Sequence, residues 1–297
     1  MSPLSNHRFT SSRLWLLALL CLSLGGCSLK VTYPFMDWWL SWTVRDYVSL
    51  DRTQRQQLES RLDQFHHWHQ QTQLPQYARF VEQLSEDIEQ PVSTDQLHQI
   101  TSELQQHWLN SLDYLIDDID QLFVSLDQHQ WQNFLGKLEE TQSEYSQPFL
   151  SKNIAERQKL RQKRFIKGAK RWIGKLTPSQ KELVIQWSHE LKPMAELSMQ
   201  RQADWSVSAT ELFQQRHKMK TPERQRRLRK LIINDSESWP LEAQQSLAHN
   251  QQVSYQLLID LHQMLNMKQQ KRIQDKLKNY HADFHYLASK VPSLALQ

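Results

Sequence analysis

The sequence predicts an all-α protein built of long antiparallel helices in a bundle or an irregular helical array. Three observations predict it. Beyond residue 26 the only glycines are Gly136, Gly168 and Gly174, in a chain rich in Gln, Leu, Glu and Lys, so helix formers dominate and turn residues are scarce. One helix-start signal recurs along the chain. After each signal, apolar residues return at spacings of three and four, and no stretch alternates with period two.

Residues 1–26 read as a targeting segment. Arg8 and Arg13 precede any acid, an apolar run extends from Leu14 to Leu24, and Leu24-Gly25-Gly26-Cys27 forms a lipobox. The run is too short for a permanent membrane span, which takes about 20 apolar residues. Resemblance to bacterial lipoproteins implies cleavage before Cys27 and acylation of its sulfur and new amino terminus. By resemblance to sorted lipoproteins of Gram-negative envelopes, Ser28 rather than Asp after the cysteine implies the outer membrane, at its periplasmic face. Several acyl chains, at about 0.8 kcal/mol per buried methylene, anchor stably. Cleavage removes Cys21, so Cys27 is the only cysteine left and no disulfide is expected.

Residues 27–49 form the lipidated N-terminus and a lead segment carrying Trp38, Trp39 and Trp42. Indoles suit a membrane headgroup zone and equally a helical core; docking into the core is the expectation adopted.

The recurring signal is an apolar residue, a short polar one, two residues, then Gln. It stands at Leu50-Asp51-Arg52-Thr53-Gln54, Val92-Ser93-Thr94-Asp95-Gln96, Leu126-Asp127-Gln128-His129-Gln130, Leu176-Thr177-Pro178-Ser179-Gln180 and Leu265-Asn266-Met267-Lys268-Gln269. A degenerate copy, Thr221-Pro222-Glu223-Arg224-Gln225, places Gln one position late. The short side chain caps the first-turn amides and Gln reaches back to the cap amide, the reciprocal capping box. Pro178 and Pro222 fall where a helix tolerates proline best. Apolar stripes follow, for example Leu97, Ile100, Leu104, Trp108, Leu112, Leu115, Ile119 and Leu122, or Ile273, Leu277, Tyr280, Phe284 and Leu287. Pro75, Pro91, Pro148, Pro193 and Pro240 predict kinks or breaks.

Charge divides the mature chain. Residues 27–150 hold 7 Lys+Arg and 19 Asp+Glu, net −12; residues 151–297 hold 27 and 13, net +14. An acidic helical half (50–150) thus precedes a basic one (151–297). Two basic runs stand out, Arg157 to Lys175 and Arg216 to Lys230. Arg161, Arg164, Lys167, Arg171, Arg224 and Arg227 are the binding candidates for an anionic surface. Mutual packing of the two halves is the competing expectation and the one preferred. In an exported chain, nucleic acid is not the expected partner.

Two histidine pairs have metal-ligand spacing, His66 with His69 and His281 with His285, the latter flanking Asp283. Neither stands in a metalloprotease pattern, and helix-border histidines are the expectation, with no metal. No nucleophile elbow, phosphate-cradling loop or dinucleotide fingerprint is present. No enzyme activity and no cofactor are expected.

Leu176-Thr177-Pro178-Ser179-Gln180 resembles the LTxxQ boxes of the Spy/CpxP family of periplasmic helical chaperones and stress regulators. Asp46-Tyr47-Val48-Ser49-Leu50-Asp51, Arg61-Leu62 and the stretch from Trp68 to Ala78 resemble an uncharacterised, domain-of-unknown-function family of bacterial lipoproteins, over nearly the whole mature chain. The expected function is a membrane-anchored helical lipoprotein that binds proteins in the periplasm, chaperone-like. The alternative is a structural or anionic-lipid-contacting envelope component.

Overall fold

The computed structural model describes residues 29–233 and 239–290. Cys27, the lipobox and the rest of residues 1–28 lie outside the described residues.

Every regular element described is helical. The lead segment holds α1 (Leu29–Thr32), a 3-10 turn (Tyr33–Phe35) and α2 (Met36–Tyr47). Then come α3 (Arg52–Trp68), a π-helical turn (His69–Gln73) and α4 (Leu74–Asp87), followed by α5 (Thr94–Ser125) and α6 (Gln128–Leu150). The basic half holds α7 (Ile154–Ile173), α8 (Pro178–Glu190), α9 (Ala195–Gln215), α10 (Thr221–Ile233), α11 (Leu241–Gln263) and α12 (Met267–Ser289). The π turn directly precedes Pro75, where a regular helix would lose a hydrogen bond and meet a clash, so the predicted break is a widened turn in a continuing helix. Gly174 closes α7 at φ 75°, a conformation that favours glycine.

Five of the predicted boxes close as reciprocal capping boxes, at Asp51, Ser93, Asp127, Thr177 and Asn266. A sixth, Asn153 with Glu156, opens α7. Thr221 departs from its expected role: it lies inside the first turn of α10, and its hydroxyl accepts from the Arg224 side chain (3.4 Å).

Four of the box glutamines do more than cap. Gln54 and Gln130, 76 residues apart, bond each other head to tail (Nε2–Oε1 3.2 and 2.7 Å). Each oxygen also accepts its own cap amide. Each nitrogen also donates to a backbone carbonyl, Gln54 to Ser125 (3.0 Å) and Gln130 to Ser49 (2.8 Å). Gln180 and Gln269 repeat the arrangement (2.9 and 3.0 Å), with second bonds to the carbonyls of Met264 and Lys175. Gln180 is wholly buried, and two lone pairs and two N–H groups are all used, so the burial carries no desolvation penalty. A glutamate could not donate these bonds. The paired boxes clamp the start of α3 to that of α6, and the start of α8 to that of α12.

Three apolar cores fill the array. The first joins the lead segment and α4 to α12, through Leu74, Ala78 and Val81 against Leu277, Phe284 and Leu287. The second joins the ends of α2 and α5 to α6, α9 and α10, through Val48, Phe123, Trp131, Phe213 and Leu228. The third lies among α7, α8 and α11, through Ile173, Val184 and Leu261. The first two draw on both charge halves.

Candidate functional site

The lead segment has two faces. Leu29, Tyr33 and Val48 are buried against the body, and Asp283 of α12 pins the start by accepting from the Leu29 amide (3.0 Å) and pairing with Lys30 (3.2 Å). Val31, Phe35, Trp38 and Trp42, spaced four, three and four, form the other face and are 59, 62, 61 and 45 % exposed. The expectation that the tryptophans dock into the core therefore fails for Trp38 and Trp42. Helical period turns them away when Tyr33 and Met36 turn inward.

Between this lead segment and helices α3, α4 and α5 lies an open cleft of about 1740 Å³. Its walls include Leu40, Leu58, Leu62, Phe65, Phe80, Leu104, Leu115, Ile119 and Leu122. The stripes read as core positions thus leave part of their surface facing a void. At one side Arg61 pairs with Asp118 (3.2 Å), whose carboxyl is raised above the usual range by burial, against the pull of Arg61.

His69, in the π turn, lines the same cleft. Its Nδ1 meets the Tyr33 hydroxyl (2.9 Å) and its Nε2 the Tyr77 hydroxyl (3.1 Å). Burial first, then the neighbouring His66 and His107, pushes its pKa down to about 3. The ring is therefore neutral near pH 7, one nitrogen donating and the other accepting, and it ties the lead segment to α4. Both nitrogens are spent, so His69 is unavailable to a metal. His66 lies 3.5 Å from Asp37. His281 and His285 stand with ring centroids 6.2 Å apart, and His281 has Glu82 at 3.9 Å. Among the described residues no three His, Cys, Asp or Glu side chains cluster as a metal site.

The two basic runs meet different fates. The second docks on the acidic half. Arg224, 8 % exposed, binds Asp120 of α5, 2 % exposed, side-on through Nε and Nη2 (Nη2–Oδ2 2.7 Å). Nη1 donates to the carbonyls of Arg216 and Met219 (3.0 Å each), and Nη2 also reaches the Thr221 hydroxyl. Arg229 pairs with Asp113 (2.7 Å), Gln225 donates to Asp117 (2.7 Å), and Arg216 donates to the Leu126 carbonyl just past the end of α5 (3.0 Å). Arg224 thus offers nothing to an external anion, and half-exposed Arg227 pairs with Glu223 on its own helix (2.8 Å).

The first run lies mostly open. Arg161 and Arg164 lie over the Phe149 ring (6.0 and 4.6 Å). Lys167, Lys170 and Arg171 of α7 face Lys268, Lys271, Arg272 and Lys276 of α12 across a groove of about 900 Å³ whose only acid among the described residues, Asp275, pairs with Lys271 (3.2 Å). The α12 side was absent from the sequence-based candidates, because its cations are scattered at helical spacing rather than bunched in a run.

A family model matches residues 46–244. The chain belongs to a family of unknown function, DUF6279. The match stops short of the nearly complete coverage expected. The DUF6279 region holds α3 to α10 entire, with the docked run and the cleft walls of α3, α4 and α5. The exposed stripe of the lead segment and the α12 side of the groove lie outside it. No curated protein and no solved structure matches the chain.

Proposed function

We propose that this DUF6279 protein is a non-enzymatic lipoprotein, anchored through Cys27 at the periplasmic face of the outer membrane, that holds an apolar guest in the cleft beside its lead segment. The observation that carries the reading is the cleft itself. A void of about 1740 Å³ walled by apolar side chains forgoes the dispersion contacts that close-packed interiors make, and a guest restores them. Chaperone-like protein binding is one form of this reading, with an apolar segment of an unfolded client as guest.

The test uses full-length protein reconstituted in neutral phosphatidylcholine vesicles, with an environment-sensitive apolar dye as probe. Saturable dye binding above that of empty vesicles, abolished by Leu115→Trp in the cleft wall, is the expected result. Dye binding unaffected by that substitution would remove the cleft from the account. For the anchor, Cys27→Ala is expected to release the protein or leave the precursor uncleaved; unchanged fractionation and mature mass would defeat it.

A second reading, contact with anionic lipid headgroups, is favoured by one further observation, the groove of seven cations and one acid between α7 and α12.

A further inference from the structure

We propose that the cleft binds one long acyl chain of a membrane lipid, taken in past the rim that Val31, Phe35 and Trp38 form. The inference rests on the guest-binding reading above and names the guest.

The rim residues are exposed and line the cleft at the same time. An exposed apolar stripe normally marks an interaction surface, and this one carries the indoles that suit the boundary between headgroups and hydrocarbon. Its position fits a bilayer. Leu29, the first residue described, is two positions from Cys27, and two residues span at most about 7 Å. A lipid anchor at Cys27 would hold the rim at the membrane surface, where acyl chains are the abundant apolar molecule.

The walls select a chain without polar groups along its length. They are all helices, whose backbone amides and carbonyls are bonded within each helix, so no strand edge meets an incoming extended peptide. Each backbone group such a peptide left unpaired would cost about 1–3 kcal/mol. An acyl chain has none to leave.

The cleft is polarised along its length. At the end beside α4, His107 and Trp108 of α5 line the cleft, while both ring nitrogens of His107 and the indole Nε1 of Trp108 lie just beneath its surface with no hydrogen-bond partner among the described residues. Glu103 comes no closer to His107 than 3.9 Å. Edge-on contacts with Tyr77 and Phe80 fix the His107 ring, and burial lowers its pKa, so it meets a guest as a neutral imidazole. A guest's head group reaches these atoms once the two rings turn toward the cleft, and an uncharged ester or amide then matches a neutral ring and an N–H donor. Beyond them Leu115, Ile119 and Leu122 carry the wall onward at helical spacing. From His107 to Leu122 the helix runs about 22 Å at about 1.5 Å per residue, room for a long extended tail.

The experiment uses the full-length acylated protein purified from envelopes in detergent. Native and denaturing mass spectrometry separate a bound lipid from the covalent acyl groups, and displacement of the fluorescent fatty acid cis-parinaric acid by palmitate reads affinity. We expect about one non-covalent acyl lipid per chain, lost on denaturation, and an affinity for the probe lowered at least tenfold in Leu115→Trp with circular dichroism and melting unchanged. Ile119→Phe, a milder filling, reads the same loss if that variant does not fold. Absence of any lipid beyond the detergent control together with no probe binding overturns the proposal. So does a cleft filled only by the protein's own covalent acyl chain, seen as probe binding by the Cys27→Ala protein but none by the acylated one. Displacement of the probe by an apolar helical peptide as readily as by palmitate also overturns it, and leaves guest binding standing. Failure of the apolar dye as well would defeat both.

Discussion

The two basic runs of this chain have similar composition and opposite electrostatic circumstances. In α10, hydrogen bonds to Asp120 and Asp113 raise the pKa of Arg224 and Arg229 above the ordinary arginine value. Across the groove of α7 and α12, burial first, then Arg272 and Arg171, lowers the pKa of Lys276 below the ordinary lysine value. Folding gives the central arginines of one run their counter-charges; the other run is held together against its own repulsion. The mutual packing of acidic and basic halves is thus present for the second run and absent for the groove. Net charge per half could not divide the two cases. What divides them is the partner: Arg224 and Leu228, one turn apart, bury together against the acidic face of α5, whereas α7 lies beside another basic helix.

The largest effect should come from breaking the docked run at its centre. Asp120→Ala leaves the Arg224 guanidinium buried without its counter-charge, and such losses cost about 3–5 kcal/mol. Lys167→Gln in the groove removes a cation among like charges and should leave stability unchanged or raise it. Denaturant midpoints of the two variants, compared with the parent, check both. Equal losses would erase the distinction between the runs.

The groove's own test is binding to anionic vesicles at low salt. Cations near such a surface contribute about 1 kcal/mol each. Changing Lys167, Arg171, Lys271 and Arg272 together to Gln should weaken binding by about 4 kcal/mol, roughly a thousandfold. Arg226→Gln with Arg227→Gln, on the docked helix, should change it little. Sedimentation with vesicles measures both, and equal losses would show non-specific attraction.

Alkaline pH sharpens the contrast further. The folded pKa of Lys276 lies below its unfolded value, so between the two the unfolded chain binds more protons and stability rises with pH. The parent should gain stability as pH climbs toward 10.5, the unperturbed value, and Lys276→Met should flatten that rise. A steeper rise in the variant would contradict the assignment.

Much of the architecture was legible because helix starts and apolar period are local signals. Asp51, Ser93, Asp127, Thr177 and Asn266 cap where the boxes place them. Asn153-Ile154-Ala155-Glu156 caps in the same way, but Lys152 before it and Glu156 in the last place depart from the recurring signal. The meeting of Gln54 with Gln130 was not legible, since nothing local joins residues 76 apart. The lead segment misled because tryptophan-rich stretches serve cores and interfaces alike. The spacing that separates Val31, Phe35, Trp38 and Trp42 from Leu29, Tyr33 and Met36 held the answer, but only with knowledge of which stripe meets the body. The cleft was hidden for a related reason: apolar period marks which face turns inward, not whether the space inside is filled.

The smallest expected effect lies at the edge of the docked run. Arg229 and Asp113 make the same kind of contact as Arg224 and Asp120, yet their side chains are 38 and 53 % exposed. Water and salt screen them, and exposed pairs contribute at most about 1 kcal/mol. Arg229→Gln should therefore cost less than about 1 kcal/mol, and the cost should vanish in about 1 M salt, where the screening length falls to about 3 Å. The loss in Asp120→Ala, enclosed within the protein, should persist at the same salt. If both losses fade together, the Arg224 pair is more accessible to ions than its burial implies. If neither fades, Arg229 acts through packing of its aliphatic stem rather than through charge. Denaturation of the two variants at low and high salt decides whether the second basic run is held by one buried pair or by its whole charged face.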